Sequence, residues 1–205
     1  GNDGNDTLTG SGGSDTLEGG AGDDALMAGN RPNSYSNGVD SYENTANTLQ
    51  GGTGNDQLYG TGGSDTYIYN LGDGADTINE TGYRSSYYAT LEDNGTDRIE
   101  LGAGIAPADV TVTRYGADLL INFANNPGGQ ITVSNWYGGG TSRIEQLVFA
   151  DGTVWDRTAL HDAGLIVNGT AGNDTLSGLS GENDILKGND GNDTLTGSGG
   201  SDTLE

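Results

Sequence analysis

Aliphatic side chains punctuate a polar, glycine-rich chain at a nearly constant step. Leu8, Leu17 and Leu26 stand nine residues apart, Leu58 and Tyr67 repeat that step, and Ile78 follows after eleven. Toward the other end Leu176, Leu186, Leu195 and Leu204 resume it with steps of ten, nine and nine. Two places before each lies an aspartate: Asp6, Asp15, Asp24, Asp56, Asp65, Asp76, Asp174, Asp184, Asp193 and Asp202. Glycines precede the aspartates, so each unit reads as a tight turn followed by a minimal strand with one inward side chain. Two units predict one turn of a coil with a strand on each side, and successive turns stack as parallel sheets.

Between Leu26 and Leu58 the pattern decays. Asn47 and Leu49 lie nine residues before Asp56 and Leu58, so a degenerate unit survives there. Asn30 to Thr45, with Arg31-Pro32, reads as a loop extruded from the coil. Residues 80 to 162 change character: Trp136, Trp155, Phe123, Phe149 and five of the seven basic residues (Arg84, Arg98, Arg114, Arg143, Arg157) lie there. Asp97 to Leu101, Val110 to Arg114, Leu119 to Phe123, Gln130 to Ser134 and Arg143 to Phe149 alternate as short strands, which predicts an antiparallel β unit of about five or six strands. Asp151-Gly152 suggests a type I′ hairpin turn. Asp156 to Gly164 hints at a short helix. The expected domains are thus a repeat coil over 1–79 with its insertion at about 30–45, a β-rich cap over 80–162, and a second coil over 168–205.

A further regularity is that Gly188 to Glu205 repeats Gly1 to Glu18 letter for letter, 187 residues later. One period of a tandem array would therefore be a coil plus a cap. Because Asp193 and Asp202 find earlier partners at Asp174 and Asp184, the opening copy is expected to be the more weakly ordered of the two.

Charge decides what holds the coil together. The 205 residues carry 30 acids against 7 bases, a formal net charge of −23, with 39 glycines and 31% hydrophobic content. Irregular sequences of such composition stay disordered. Here the acids recur at a fixed period beside an aliphatic residue, which points to order imposed by bound cations. The negative charge argues against nucleic acid and anionic membrane as partners. The chain has no cysteine, so neither disulfides nor thiolate metal sites are available to it. No secretory leader and no run long enough to span a bilayer is visible.

Glycine turns aim carbonyl oxygens inward, and the aspartate adds a hard carboxylate. Stacked turns would line these up as oxygen-only cages, which suit calcium with its six to eight ligands at about 2.3–2.6 Å better than the tighter octahedron of magnesium. GGAGDDALM at 19–27 and GGTGNDQLY at 51–59 fit G-G-x-G-x-D-x-U-x in full, and the chain resembles the haemolysin-type, or RTX, calcium-binding repeat proteins. The middle segments DRIELG, DLLINF, ITVSNWY and IEQLVFADGTVW resemble the β-rich domain that often follows such repeats. The resemblance implies an all-β chain: right-handed parallel β-roll segments flanking a small antiparallel β cap.

It also implies the ion sites, each between one turn and the turn a full coil later. Asn2, Gly4 and Asp6 would face Gly19, Ala21 and Asp24. Gly52, Gly54 and Asp56 would face Leu71, Asp73 and Asp76, while Asn47 would join Gly60, Gly62 and Asp65. In the second coil Thr170, Gly172 and Asp174 would face Gly188, Asp190 and Asp193, and Asp184 would join Gly197, Gly199 and Asp202. Asp15 lacks a clear mate, which would fall in the extruded loop. In total about five calcium (Ca2+) ions are implied. The resemblance further implies a bacterial protein exported by type I secretion to the cell surface or beyond.

Catalysis finds little support. His161 is the single histidine, in a polar stretch where an ordinary structural role outweighs that of ligand or base. GLSG at 178–181 lies in a repeat turn and lacks the spacing of a nucleophile elbow. Tyr83, Tyr87 and Tyr88 with Trp136-Tyr137 could stack on a sugar, although core packing is the commoner use. Three function classes remain: an adhesin-like extender in a large secreted or surface protein, rigidified by calcium; a calcium-dependent folding and secretion module of a secreted protease, lipase or polysaccharide epimerase; and a carbohydrate-binding module. Neighbouring repeats of the same chain are the expected partners, with a carbohydrate or cell-surface ligand reached through the parent protein and no membrane insertion.

Overall fold

The computed structural model describes residues 1–29, 45–80, 95–138 and 144–205. The extruded loop expected at 30–45, Thr45 apart, lies outside the described residues, as do Tyr83, Tyr87, Tyr88, Arg84 and Arg143. The described elements are β1 (Thr7–Thr9), β2 (Thr16–Ala21), β3 (Ala25–Met27), β4 (Thr48–Thr53), β5 (Gln57–Tyr59), β6 (Thr66–Tyr69), β7 (Ala75–Asn79), β8 (Arg98–Leu101), β9 (Val110–Tyr115), β10 (Asp118–Phe123), β11 (Gln130–Val133), β12 (Gln146–Val148), β13 (Val154–Asp156), helix α1 (Arg157–Gly164), β14 (Ile166–Asn168), β15 (Thr175–Ser177), β16 (Ile185–Lys187), β17 (Thr194–Thr196) and β18 (Thr203–Leu204).

Odd and even strands of the first coil segregate into two facing sheets, as a two-unit turn requires. One sheet runs β1-β3-β5-β7-β11-β10-β9 and the other β2-β4-β6-β8-β12-β13. Parallel register stacks the repeat's apolar positions into two columns. Leu8, Leu26, Leu58 and Ile78 form one. Leu17, Leu49, Tyr67, Ile99 and Leu147 form the other. From Leu49 to Leu147 and from Leu26 to Ile78 these side chains are almost fully buried. Each such burial contributes about 1.5–3 kcal/mol, and the two columns merge with the cap's Ile121, Val133 and Trp136 into one hydrophobic cluster.

The cap contains the expected antiparallel pairs, β9 with β10, β10 with β11, and β12 with β13. It also does something the sequence did not announce. Strands β8 and β12 extend one roll sheet, and β11 the other, all in parallel register. A stacked coil that simply stopped would leave a row of unpaired amide and carbonyl groups at its edge, and these three strands satisfy that row. The Asp151-Gly152 hairpin is present, but its turn differs from the one expected. Only Gly152 takes positive φ, at 88°, and Gly152 N–H closes on the Phe149 carbonyl while Phe149 N–H donates to Thr153. That is a type I turn followed by a left-handed glycine, the three-residue hairpin solution. Helix α1 starts where expected because the Asp156 carboxylate accepts the Ala159 N–H at 2.9 Å.

Beyond α1 a second roll forms from sheets β14-β16-β18 and β15-β17. Its apolar content is thin: Leu186 is fully buried, Leu176 and Leu195 are half-buried, and Leu204 is 50% exposed. In the opening copy of the duplicated stretch the equivalent Leu17 is 9% exposed and Leu8 packs against the main cluster. In this structure the opening copy thus has the better-covered leucines, although it was expected to be the more weakly ordered of the two.

Candidate calcium centres

Several turns of the rolls are shaped by a position that tolerates no side chain. A Cβ on Gly19 would fall among the Asp24 Oδ2 atom of its own turn and the Gly51 carbonyl of the next coil. Gly20, at φ 116°, would collide with the Asn2 carbonyl. The space a side chain would fill is thus walled by oxygen atoms from two consecutive coils.

The aspartates of consecutive coils are joined by a hydrogen-bond ladder. Asp6 N–H donates to Asp24 Oδ1 at 2.7 Å, Asp24 N–H to Asp56 Oδ1 at 2.7 Å, and Asp56 N–H to Asp76 Oδ1 at 3.0 Å. On the other side Asp15 donates to Asn47 Oδ1, Asn47 to Asp65 Oδ1, Asp65 to Asp97 Oδ1 and Asp97 to Glu145 Oε2, all at 2.7–3.0 Å. In the second roll Asp174 donates to Asp193 and Asp184 to Asp202. Oδ1 is committed to the ladder, leaving Oδ2 for the turn.

Oδ2 is not placed alike in every turn. In Asp15, Asp24 and Asp56 it is buried and accepts no hydrogen bond. Asp24, Asp56 and Asp76 are 2%, 0% and 2% exposed, and none joins an ion pair. Burying unpaired carboxylates costs several kcal/mol each, and here burial pushes Asp76 up to about 8 and raises Asp56 and Asp73. A hard divalent cation would remove that cost, so carboxylate and carbonyl oxygens fit calcium at the Asp6–Asp24, Asp24–Asp56 and Asp56–Asp76 steps. The Asn47–Asp65 step differs. Asp65 Oδ2 accepts the Thr61 N–H at 2.6 Å, as Asp6 Oδ2 accepts that of Asn2 at 3.2 Å and Asp174 Oδ2 that of Thr170 at 2.7 Å, but here an amide replaces one carboxylate and its Nδ2 donates to Asp65 Oδ1 at 2.8 Å. Burial raises Asp65 while these bonds oppose the shift, and the buried Asp65, Glu80 and Asp97 carboxylates lie close enough together to hold a cation.

The other residues expected to hold ions fall as follows. Asn2 and Gly4 meet Ala21 through backbone bonds, Asn2 carbonyl to Ala21 N–H and Gly4 N–H to Ala21 carbonyl. Gly52 pairs with Gly20, and Gly54 lies against Gly22 and Gly74. Asp73 turns its carboxylate onto the Asn70 N–H at 2.7 Å, and Leu71 is 48% exposed, so Gly74 rather than Leu71 or Asp73 lies against Gly54, while Asp76 stands opposite Asp56. Gly60 lies beside Asp65 Oδ2, and no contact places Gly62. Gly172 faces Gly191 rather than Asp190, while Thr170 donates to Asp174 Oδ2. Gly178 lies against the Gly197 carbonyl, and Gly181 N–H donates to Gly199. Asp15, for which no mate was expected, has one in Asn47.

The RTX calcium-binding nonapeptide repeat family matches residues 1–30, 43–78, 166–185 and 180–205, more than half of the chain. The chain belongs to this haemolysin-type family. Residues 118–159 match the haemolysin-type calcium binding protein related domain. No curated protein matches the chain. Among solved structures it is similar to the extracellular lipase LipA from Serratia marcescens, with TM-score 0.43 and 17% identity, over 90% of this chain and 29% of the lipase chain.

As an RTX protein the chain is a calcium-binding repeat module, and RTX proteins are typically secreted. Among the described residues no helix is long and apolar enough to cross a membrane. Sequence reading missed Asp97 and Glu145 in this RTX ladder. The signal for Asp97 was present: Gly95-Thr96-Asp97 with Ile99 two places on has the repeat's own spacing. A second ladder was also missed. Asn5 Oδ1 accepts the Asp23 N–H, Asp23 Oδ1 the Asn55 N–H, and Asn55 Oδ1 the Ala75 N–H, with Asn173 and Asn183 repeating the bond in the second roll. This accounts for Asn5, Asp23, Asn55, Asn173 and Asn183, the residues before Asp6, Asp24, Asp56, Asp174 and Asp184.

Proposed function

We propose that this chain is a calcium-ordered extender within a large secreted or surface protein, in which rolls and caps alternate. The observation that carries the reading is the letter-for-letter recurrence of Gly1–Glu18 at Gly188–Glu205, together with the cap's strand pairing to the first roll and its side-chain contacts with the second. Asp6, Asp24, Asp56, Asp76, Asp174, Asp193, Asp184 and Asp202, with the carbonyls around them, would hold the ions, about five in all. Bound ions neutralise the stacked carboxylates and tie consecutive coils, so the rod stiffens where calcium is plentiful and stays unfolded where it is scarce. Trp136 is fully buried, with its indole N–H on His161 Nδ1 at 3.3 Å, which favours the extender over a sugar-stacking surface at that residue. Small-angle scattering of the chain across a calcium titration tests the reading. An elongated particle formed only with calcium supports it; a compact particle indifferent to calcium contradicts it.

A further inference from the structure

The cap meets both rolls through the same ladder chemistry, with opposite polarity. On the first-roll side the series Asp15, Asn47, Asp65, Asp97 ends on Glu145, whose Oε2 accepts the Asp97 N–H at 2.8 Å. A further coil would have offered an aspartate oxygen there. On the second-roll side a series starts at Asp184, which is 1% exposed and passes its own N–H to Asp202. The register of β14 on β16 places Leu165 where the preceding aspartate would stand: Ile185 N–H donates to the Leu165 carbonyl just as Thr48 N–H donates to that of Asp15. Yet the Leu165 N–H is spent on the Asp162 carbonyl at the end of α1. Asp184 Oδ1 therefore receives nothing from an earlier coil.

Arg114 of β9 fills that place. Its Nη2 lies 3.4 Å from Asp184 Oδ1 and donates to the Ser177 carbonyl at 2.6 Å, and the two side chains are 9% and 0% exposed. One guanidinium supplies the donor that a preceding coil would give and the positive charge that a cation would give. A second bond reinforces the docking, with His161 Nε2 3.1 Å from Glu182 Oε2.

We propose that the cap is an adaptor that hands one carboxylate hydrogen-bond ladder to the next: Glu145 closes the first, and Arg114 starts the second as its built-in cation. Templating matters most at the second roll, where Leu186 is the fully buried leucine and little apolar surface assists. The proposal rests on the calcium-module reading above, and it makes Arg114 a positioning residue for ions bound further along the second roll.

Hydrogen exchange of the full chain, followed by mass spectrometry across a calcium titration, reads residues 48–79 and 175–204 separately. Arg114→Ala is expected to raise the calcium midpoint of the second roll by about three- to tenfold, the weight of one charge-assisted hydrogen bond shared among its ions, and to leave the first roll unchanged. Arg114→Lys should recover part of the shift. An unchanged second roll, or an equal shift in both rolls, would overturn the proposal. Should Arg114→Ala not fold, Asp184→Asn and the double variant with Arg114→Lys decide: a double shift smaller than the sum of the singles supports the adaptor, and strict additivity overturns it. A wild-type chain in which neither roll responds to calcium would instead overturn the calcium-module reading, and that result precedes any variant.

Discussion

The backbone N–H of Asp24 donates to Oδ1 of Asp56, 2.7 Å away and 32 residues later in the chain. Elsewhere in the first roll, Asp6 to Asp24 and Asn47 to Asp65, the same bond spans 18 residues. The ladder therefore runs unbroken past the segment that interrupts the sequence pattern, and Asp56, fully buried, touches a coil on each side.

Replacing Asp56 by asparagine keeps an oxygen for the Asp24 N–H and deletes a buried charge. We expect the calcium midpoint of the first roll to rise by roughly tenfold, since affinity follows ligand charge, while order in chelator increases because a desolvated carboxylate is gone. Circular dichroism in chelator and through a calcium titration measures both. Shifts of the same sign in the two conditions would contradict this account.

Gly52 takes φ 99°, and a Cβ there would strike the Gly20 carbonyl of the neighbouring coil. Gly52→Ala is expected to cost about 1–3 kcal/mol through backbone strain and displacement of a stacked strand. The thermal midpoint in saturating calcium should fall accordingly. An unchanged midpoint would mean that the coils are not packed this closely.

The apolar columns predict a contrast between the rolls. Leu58 is 2% exposed and Leu204 50%, so Leu58→Ala should lose about 2–5 kcal/mol of stability and Leu204→Ala no more than about 0.5 kcal/mol. Denaturant unfolding in saturating calcium compares the two.

Much of this architecture was legible in the sequence. Ten aspartates followed at the second place by an apolar residue gave the strands, their two facing sheets and the metal chemistry, because one side chain per strand must point inward. The pairings of Asp24 with Asp56 and Asp15 with Asn47 were not legible, because an insertion hides the coil length and no local pattern records which turns touch. Asp97 and Glu145 were read as cap residues, since Arg98, Ile99 and Glu100 alternate like any exposed strand; only the parallel register of β8 on β6 reveals them as ladder members. The displacement of Leu71 and Asp73 by Gly74 followed from a turn lengthened to 20 residues between Asp56 and Asp76, which shifts the backbone frame while the ladder bond survives.

Acidity should act on the calcium-free chain in the reverse of the usual direction. Burial, with the nearby Asp56 and Asp73 charges, pushes Asp76 up to about 8, and burial raises Asp56 as well. Groups raised in the folded state above their unfolded value of about 3.9 hold stability below that value and lose it as pH rises toward the folded one. In chelator, ordered structure should therefore grow as pH falls from 8 to 5, and calcium uptake near pH 7 should release protons. Circular dichroism with an indicator dye reads both, and structure lost on mild acidification would contradict the assignment.

The most direct measurement of the central claim is hydrogen exchange at the ladder amides of Asp6, Asp24 and Asp56, with and without calcium at neutral pH. These N–H groups bond to carboxylates that repel one another unless a cation lies between the coils. The account predicts strong protection in calcium and exchange near the unfolded rate in chelator, regained on adding calcium back. Equal protection in both conditions would mean that the roll stands without the ion.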